Sequence, residues 1–290
     1  MALFQHLDGL HAIAGLLVGL LVGLTGVGGG SLMTPLLVLM FGVNPTTAVG
    51  TDLLYASATK MVGSGVHGWR ATVDWRIMQR LALGSIPAAL FTLLVLSRVG
   101  QLSSATQGKM MIGLSVMLVI TSATVFFQKK LIAYGMHHHP IRTAQQAALA
   151  TIALGAVIGL AVSLTSVGAG AIGVTALLML YPNQPVARIV GTDIAHAVPL
   201  TLVAGMGHWI IGDVDGALLA NLLIGSVPGV IVGSLISSRA PDRVLRVLLG
   251  MVLAVSAWQL YLKASKAVAA KDKPAASAAA SAAPATATSR

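Results

Sequence analysis

Apolar residues along the chain gather into eight runs, at roughly 11–41, 46–67, 79–98, 108–127, 147–181, 187–211, 216–237 and 244–262. The long runs lack the alternation of apolar and polar residues that marks a barrel strand, so continuous helices are predicted. Crossing a hydrocarbon core of about 30 Å takes about 20 helical residues, and runs of that length recur. The pattern predicts an all-α polytopic membrane protein. A polar stretch at 128–146 (QKKLIAYGMHHHPIRTAQQ) divides the runs four and four, into units at 1–127 and 147–263 with a central polar loop between them. Residues 264–290 are Ala, Ser, Pro and Thr with scattered Lys, too poor in patterned apolar positions to pack, and read as a disordered solvent tail.

The two units repeat one pattern. Residues 23–31 read GLTGVGGGS and 163–171 read SLTSVGAGA, matching at Leu24/Leu164, Thr25/Thr165, Val27/Val167, Gly28/Gly168 and Gly30/Gly170. Gly15, Gly19 and Gly23 return 140 residues later as Gly155, Gly159 and Ser163. Beyond the glycine-rich stretch the offset becomes 141: Gly50-Thr51-Asp52 returns as Gly191-Thr192-Asp193, His67 as His208, Val73-Asp74 as Val214-Asp215, and Gly84-Ser85-Ile86-Pro87 as Gly225-Ser226-Val227-Pro228. Such ordered pairs indicate an internal duplication, two four-segment repeats.

The first segment of each repeat is predicted to be a broken helix. Unbroken, residues 11–41 would make a helix about 45 Å long, too long for the core unless strongly tilted. Each glycine inside a helix costs about 1 kcal/mol, and they cluster at Gly26, Gly28, Gly29 and Gly30. The evenly spaced Gly15/Gly19/Gly23 and Gly155/Gly159/Ser163 instead suit an intact helix packed closely on a neighbour. Non-helical backbone at membrane depth is tolerated where it lines a cavity, and interrupted segments at matching places in a duplicated membrane protein point to its substrate site.

A half-helix N-terminus offers free N–H groups and partial positive charge, which suits an anion. Two such ends, near Ser31 and near Ala171, predict a small oxyanion held mostly by backbone at Gly26, Gly28, Gly29, Gly30, Gly168 and Gly170. Thr25, Ser31, Thr165 and Ser166 add hydroxyl donors, although a threonine also bonds back to a carbonyl of its own helix. Asp52 and Asp193, each preceded by Gly-Thr, are either coupling groups that carry a proton or cation, or acids that favour a helix start. Lys60 is a basic residue deep in an apolar run, either a counter-charge or a side chain that snorkels to the interface. Its counterpart is Thr201, so this element is not duplicated. His67 and His208, beside Trp69 and Trp209, read as interfacial anchors, with proton relay as the alternative. His137, His138 and His139 read as a solvated run. Pro87 and Pro228 either kink the third segments for motion or kink them statically.

Composition agrees with a membrane chain, with 56% hydrophobic and 9% charged residues. The formal charge of +10 comes mostly from Lys and Arg between apolar runs and in the tail, which suits lipid headgroups and topology rather than nucleic acid. No cysteine is present, so disulfides and thiolate metal sites are excluded. No removable signal peptide, cofactor or metal site is expected, and GxGxxG matches at Gly63 and Gly168 follow no strand. Without a G-x-x-x-x-G-K-[ST] loop in the chain, energy is expected from an H+ or Na+ gradient unless a separate subunit supplies it.

Gly23-Leu-Thr-Gly-Val-Gly-Gly-Gly-Ser31, Pro35 and Ala48-Val-Gly-Thr-Asp52, with their echoes in the second half, resemble the sulfite exporter TauE/SafE family over about residues 10–262. The second half departs from that pattern, with Ser166, Ala169 and Ala171 for Gly26, Gly29 and Ser31. The resemblance implies a duplicated, multi-pass transporter of the bacterial inner membrane that exports or takes up sulfite or an organosulfonate. The expected function is thus a secondary transporter, an exporter of a small oxyanion, working by alternating access between the repeats; a homo-oligomer is compatible with it. The alternatives are a cation or metal transporter using Asp52 and Asp193, and an intramembrane aspartyl hydrolase, whose carboxylates would share a proton at about 3 Å. Two topologies remain. If each broken segment crosses fully, there are eight spans with both termini on one side, and the cytoplasm is the side chosen. If each dips in and returns, the repeats are inverted.

Overall fold

A computed structural model describes residues 9–25, 30–67, 73–99, 104–138, 143–236 and 242–272. Among these residues every regular element is a helix, in the order α1 (Gly9–Thr25), α2 (Gly30–Leu39), α3 (Pro45–His67), α4 (Trp75–Val99), α5 (Ser104–His138), α6 (Ala144–Thr165), α7 (Ala171–Leu180), α8 (Val186–Ile211), α9 (Gly216–Ile236) and α10 (Asp242–Asp272). Six of them, α4, α5, α6, α8, α9 and α10, are long and apolar enough to cross a membrane. With 23 residues α3 is equally long, but its hydroxyl residues, Asp52 and Lys60 lower its hydropathy. Leu83, Leu90, Phe91 and Leu94 of α4 are more than half exposed, as side chains facing lipid are.

Two expectations about boundaries change. Helix α5 continues to His138, so much of the polar stretch 128–146 is helical rather than loop. Helix α10 runs to Asp272, past residue 264 where a tail was expected. His139 and residues 273–290 lie outside the described residues.

The small-residue stripes set the packing. A methyl added at Gly15, Gly19 or Gly23 of α1 would strike the backbone of α9 at Leu222, Ser226 or Val230. The same holds for α6 against α4, where Gly155 meets Leu81 and Gly159 meets Ser85. Backbones this close gain dispersion contacts, the main attraction left to helices in lipid. In both cases residue numbers rise together, so α1 runs parallel to α9 and α6 parallel to α4. Thus the first helix of each half packs on the fourth helix, the third apolar segment, of the other half.

Direction follows for the rest. Helix α8 runs parallel to α4, because the Asp74 N–H donates to Thr192 Oγ1 at 2.8 Å and Ser85 Oγ lies 2.7 Å from His196 Nε2. In the same way α3 runs parallel to α9: the Asp215 N–H donates to Thr51 Oγ1 at 3.1 Å and Tyr55 lies beside Ser226. Helices α3 and α8 oppose each other, with Gly50 against His208 and Leu54 against Gly205. So do α5 and α10, where Ser122 donates to Gly250 O and Arg246 to Gln128. Matching helices of the two halves are antiparallel. The face where α4, α6 and α8 begin is called the near face below, and that where α1, α3 and α9 begin the far face.

The through-crossing topology is overturned in the second half. Tyr181, the residue after α7, has its hydroxyl 2.7 Å from Thr151 Oγ1 and donates to Ala147 O at 3.4 Å. The end of α7 therefore lies beside the start of α6, and α6–α7 is a hairpin that enters from the near face and returns toward it. In the first half α3 starts at the far face, the face where α1 starts, which places α2 as the returning arm.

Candidate anion and coupling site

The turn of the second hairpin is built from residues that cannot continue a helix. The Ser166 N–H still bonds Val162 O at 2.7 Å, but its φ of 57° is left-handed. Gly168 and Gly170 have φ of 127° and 118°, values that residues with a side chain rarely adopt. The Val174 N–H then donates to Gly170 O at 2.9 Å and α7 begins. Its N-terminal N–H groups have no partner within the helix.

Asp193, carried by α8, meets that end. The Gly170 N–H faces its carboxylate. Gly173 makes the room, since a Cβ there would strike Asp193 Oδ1. Asp193 is 1% exposed and its Oδ1 has no hydrogen-bond partner. In the first half Asp52 of α3 meets the start of α2. The Thr34 N–H donates to Asp52 Oδ2 at 3.1 Å and the Thr34 hydroxyl donates to the same oxygen. Ser166, from the other half, adjoins this carboxylate. Neither acid caps the helix that carries it; each occupies the anion position at a half-helix, where a carboxylate is favoured.

Lys60 lies deep in the protein, 8% exposed, and acts electrostatically on both Asp193 and Asp52. It does not snorkel. A cavity of about 270 Å³ opens beside it, with Lys60, Thr25, Gly170 and Asp193 as its polar floor. Lys129, Gln128 and Arg246 stand toward the near face, and aliphatic side chains such as Val174, Val190 and Ile194 form the walls. The floor thus carries one acidic and one basic side chain, Asp193 and Lys60, and Lys129 and Arg246 add positive charge at the mouth.

Of the expected site residues, Thr25, Lys60, Gly170 and Asp193 come together at the cavity, while Ser166 joins Asp52 and Thr34 behind it. Gly30 is the first residue of α2, and Ser31 is buried with its hydroxyl unpartnered. Gly26, Gly28 and Gly29 lie outside the described residues. Gly168 shapes the turn. The Thr25 and Thr165 hydroxyls donate back to Leu21 O and Ala161 O, at 2.8 and 2.6 Å. Sequence reading missed Thr34, Gln128, Lys129 and Arg246. Only Thr34, three residues after the half-helix start predicted near Ser31, carried a usable signal.

His208 is no interfacial anchor. It is fully buried, its Nε2 donates to Ser163 O at 2.9 Å, and its Nδ1 lies 3.5 Å from Asp213 Oδ2, while Trp209 alone faces outward. For His67, the last residue of α3, the side chain lies outside the described residues. Pro87 and Pro228 sit within continuous helices.

Broken half-helices, matched acids and a cavity inside a bundle of apolar helices are the parts of a membrane transporter, and comparison with known proteins agrees. The sequence matches the family described as sulfite exporter TauE/SafE over residues 11–260. The chain belongs to the sulfite exporter TauE/SafE family. It is 40% identical over 252 residues to the probable membrane transporter protein YjnA of Bacillus subtilis (strain 168), covering 86% of this chain and 97% of that one. A probable membrane transporter protein of Xylella fastidiosa (strain Temecula1 / ATCC 700964) is 26% identical over 225 residues, 72% of this chain and 82% of the relative. Another, YdhB of Bacillus subtilis (strain 168), is 26% identical over 248 residues, 83% and 94% of the two chains. No solved structure matches this chain. This TauE/SafE member is a multi-pass membrane protein of a transporter family with relatives in bacteria.

Proposed function

We propose that this TauE/SafE protein is a secondary transporter of a small oxyanion, sulfite or an organosulfonate, which it exports across the bacterial inner membrane by alternating access. In this reading the chain is two four-segment repeats, each beginning with a broken helix, and the substrate binds between them. The observation that carries it is the floor of the cavity, where Lys60 and the Gly170 N–H converge at the start of a half-helix. An oxyanion there meets a fixed ammonium, a backbone donor and a helix dipole.

Asp193 supplies the coupling. Its carboxylate stands where the oxyanion binds, and two anions cannot share one half-helix end without a proton between them. Protonation of Asp193 frees the Gly170 N–H and removes the repulsion, so one proton enters with the anion. Transport in reconstituted liposomes tests both parts. Sulfite or an organosulfonate is expected to move, faster when the compartment facing the cavity is acidified, with no requirement for sodium. Movement of a divalent metal and of no anion would reverse the assignment. Among the described residues no three His, Cys, Asp or Glu side chains come together to hold such a metal. Asp52 and Asp193 each face their own half-helix, which is not the arrangement of a proton-sharing hydrolase dyad.

A further inference from the structure

The cavity beside Lys60 has a counterpart that is shut. Its lining, carried across by the sequence correspondence, falls on the other half: Gly170 onto Gly30, Val174 onto Thr34, Leu178 onto Val38, Val190 onto Val49, Asp193 onto Asp52 and Ile194 onto Leu53. The counterparts are packed, with Thr34, Val38, Val49, Asp52 and Leu53 at most 1% exposed, whereas Val174, Val190 and Ile194 remain partly open. This closed region nonetheless holds buried polar atoms that are poorly satisfied: Ser31 Oγ has no partner, and Asp52 Oδ1 and Ser166 Oγ adjoin each other without a well-formed hydrogen bond. Leaving such atoms dry is costly, and they are what a cavity taking up water or an anion would satisfy.

One polar contact ties α10 to α2 at its end. Lys263, near the end of α10, donates to Val38 O at 2.7 Å. That carbonyl is in the last turn of α2, where carbonyls lack partners within the helix and a cation is favoured. Leu260 and Ala264, on either side of Lys263, are fully buried. In the open half the matching position is Ser122, which bonds Gly250 O on α10, and α5 meets the end of α7 through Gly135 against the Met179 side chain, without a hydrogen bond to a half-helix carbonyl from Ser122. The latch exists on the shut side alone of these two.

We infer that Asp52, Thr34 and Val49 line a second anion cavity, which opens to the far face when Lys263 releases α2. The inference rests on the transport reading above, since the second cavity is the site as seen from the other side of the membrane. Antiparallel matching helices make the two cavities face opposite ways, so exchanging the conformations of the two halves moves access across the bilayer.

The chain has no cysteine, so single thiols report access without background. Val49→Cys and Val190→Cys are made separately, with and without Lys263→Met, and exposed to a membrane-impermeant thiol reagent from each side. Expected are reaction of Val190→Cys from one side and, with Lys263→Met, at least fivefold faster reaction of Val49→Cys from the opposite side, with slower reaction of Val190→Cys. Lys263→Arg, which keeps a cationic donor, should behave as wild type and shows that the chain folds. Val49→Cys that stays unreactive in the Lys263→Met protein, while Val190→Cys reacts as before, overturns the second cavity. So does reaction of both thiols from the same side. Labelling needs no substrate: thiols that exchange access while sulfite and sulfonates fail to move would retain the cavity and sink the substrate assignment. The converse result, anion flux with an inert Val49→Cys, sinks this inference alone.

Discussion

The Asp52 region and the Asp193 region are made from one pattern and do different things. Asp52 has its Oδ2 held by two donors from Thr34 and lies in a shut core; Asp193 has one backbone donor and borders a cavity. Position by position the cause is small. Thr34 stands where the other half has Val174, so one half supplies a hydroxyl to its acid and the other leaves an aliphatic wall. Lys60 stands where the other half has Thr201, and the ammonium on the cavity floor is therefore contributed by the shut half to the open one. Duplication supplies the frame, and a few unmatched residues make it asymmetric.

Changes at those residues sharpen the comparison. Lys60→Met should have the largest effect. It leaves both acids without their buried counter-charge, and removing one partner of such a set costs about 3–5 kcal/mol, so anion affinity by calorimetry or flux should fall about 100-fold or more. Thr201→Met, at the matching place, should do far less, and equal losses would mean that Lys60 is structural. Next, Asp193→Asn should leave anion exchange measurable but abolish its acceleration at low pH on the cavity side, because no carboxylate is left to neutralise. Asp52→Asn should keep that acceleration and alter the pH dependence on the opposite side. A pH profile unchanged in Asp193→Asn would remove the coupling role.

Packing changes come after these. Gly173→Ala adds a methyl against Asp193 Oδ1, and overpacking of this kind costs about 1–3 kcal/mol, read as a lower unfolding temperature in detergent together with slower flux. Gly113→Ala, where nothing lies near the added methyl, is the control and should keep both values. The smallest expected effect among the site-adjacent changes is that of His208→Gln, which retains a donor for Ser163 O and gives up only the 3.5 Å approach of Nδ1 to Asp213 Oδ2, so flux and unfolding temperature should change little.

How far the sequence could be read depends on whether the determining contact was local. The break after Thr165 was legible, because Gly168 and Gly170 penalise a helix wherever they are placed. The use of Gly15, Gly19 and Gly155 was legible for a similar reason, since a small-residue stripe needs a close neighbour whichever it is. That the break reverses the chain was not legible. It depends on Tyr181 reaching Thr151 and Ala147, thirty or more residues back, and nothing local separates a bend from a gap in a straight crossing. The acids were found but their partners were misassigned, because Asp52 and Asp193 lie near helix starts in sequence while their partners are the starts of the preceding half-helices in space. His208 beside Trp209 looked interfacial, yet adjacent helical residues point about 100° apart, so one is buried where the next is exposed. Arg246 and Lys129 could not be chosen from the many cations at the ends of apolar runs until α5 and α10 were seen side by side.

The exchange of partners between halves also bears on how the protein is made. Helix α1 finds its surface in residues around 222–230, and α4 finds its own in residues around 152–159. During synthesis the first helix must therefore wait in the bilayer, with its glycine stripe uncovered, until most of the chain has left the ribosome. Neither half expressed alone can complete its packing, and two halves supplied as separate chains have a ready means of recognising each other.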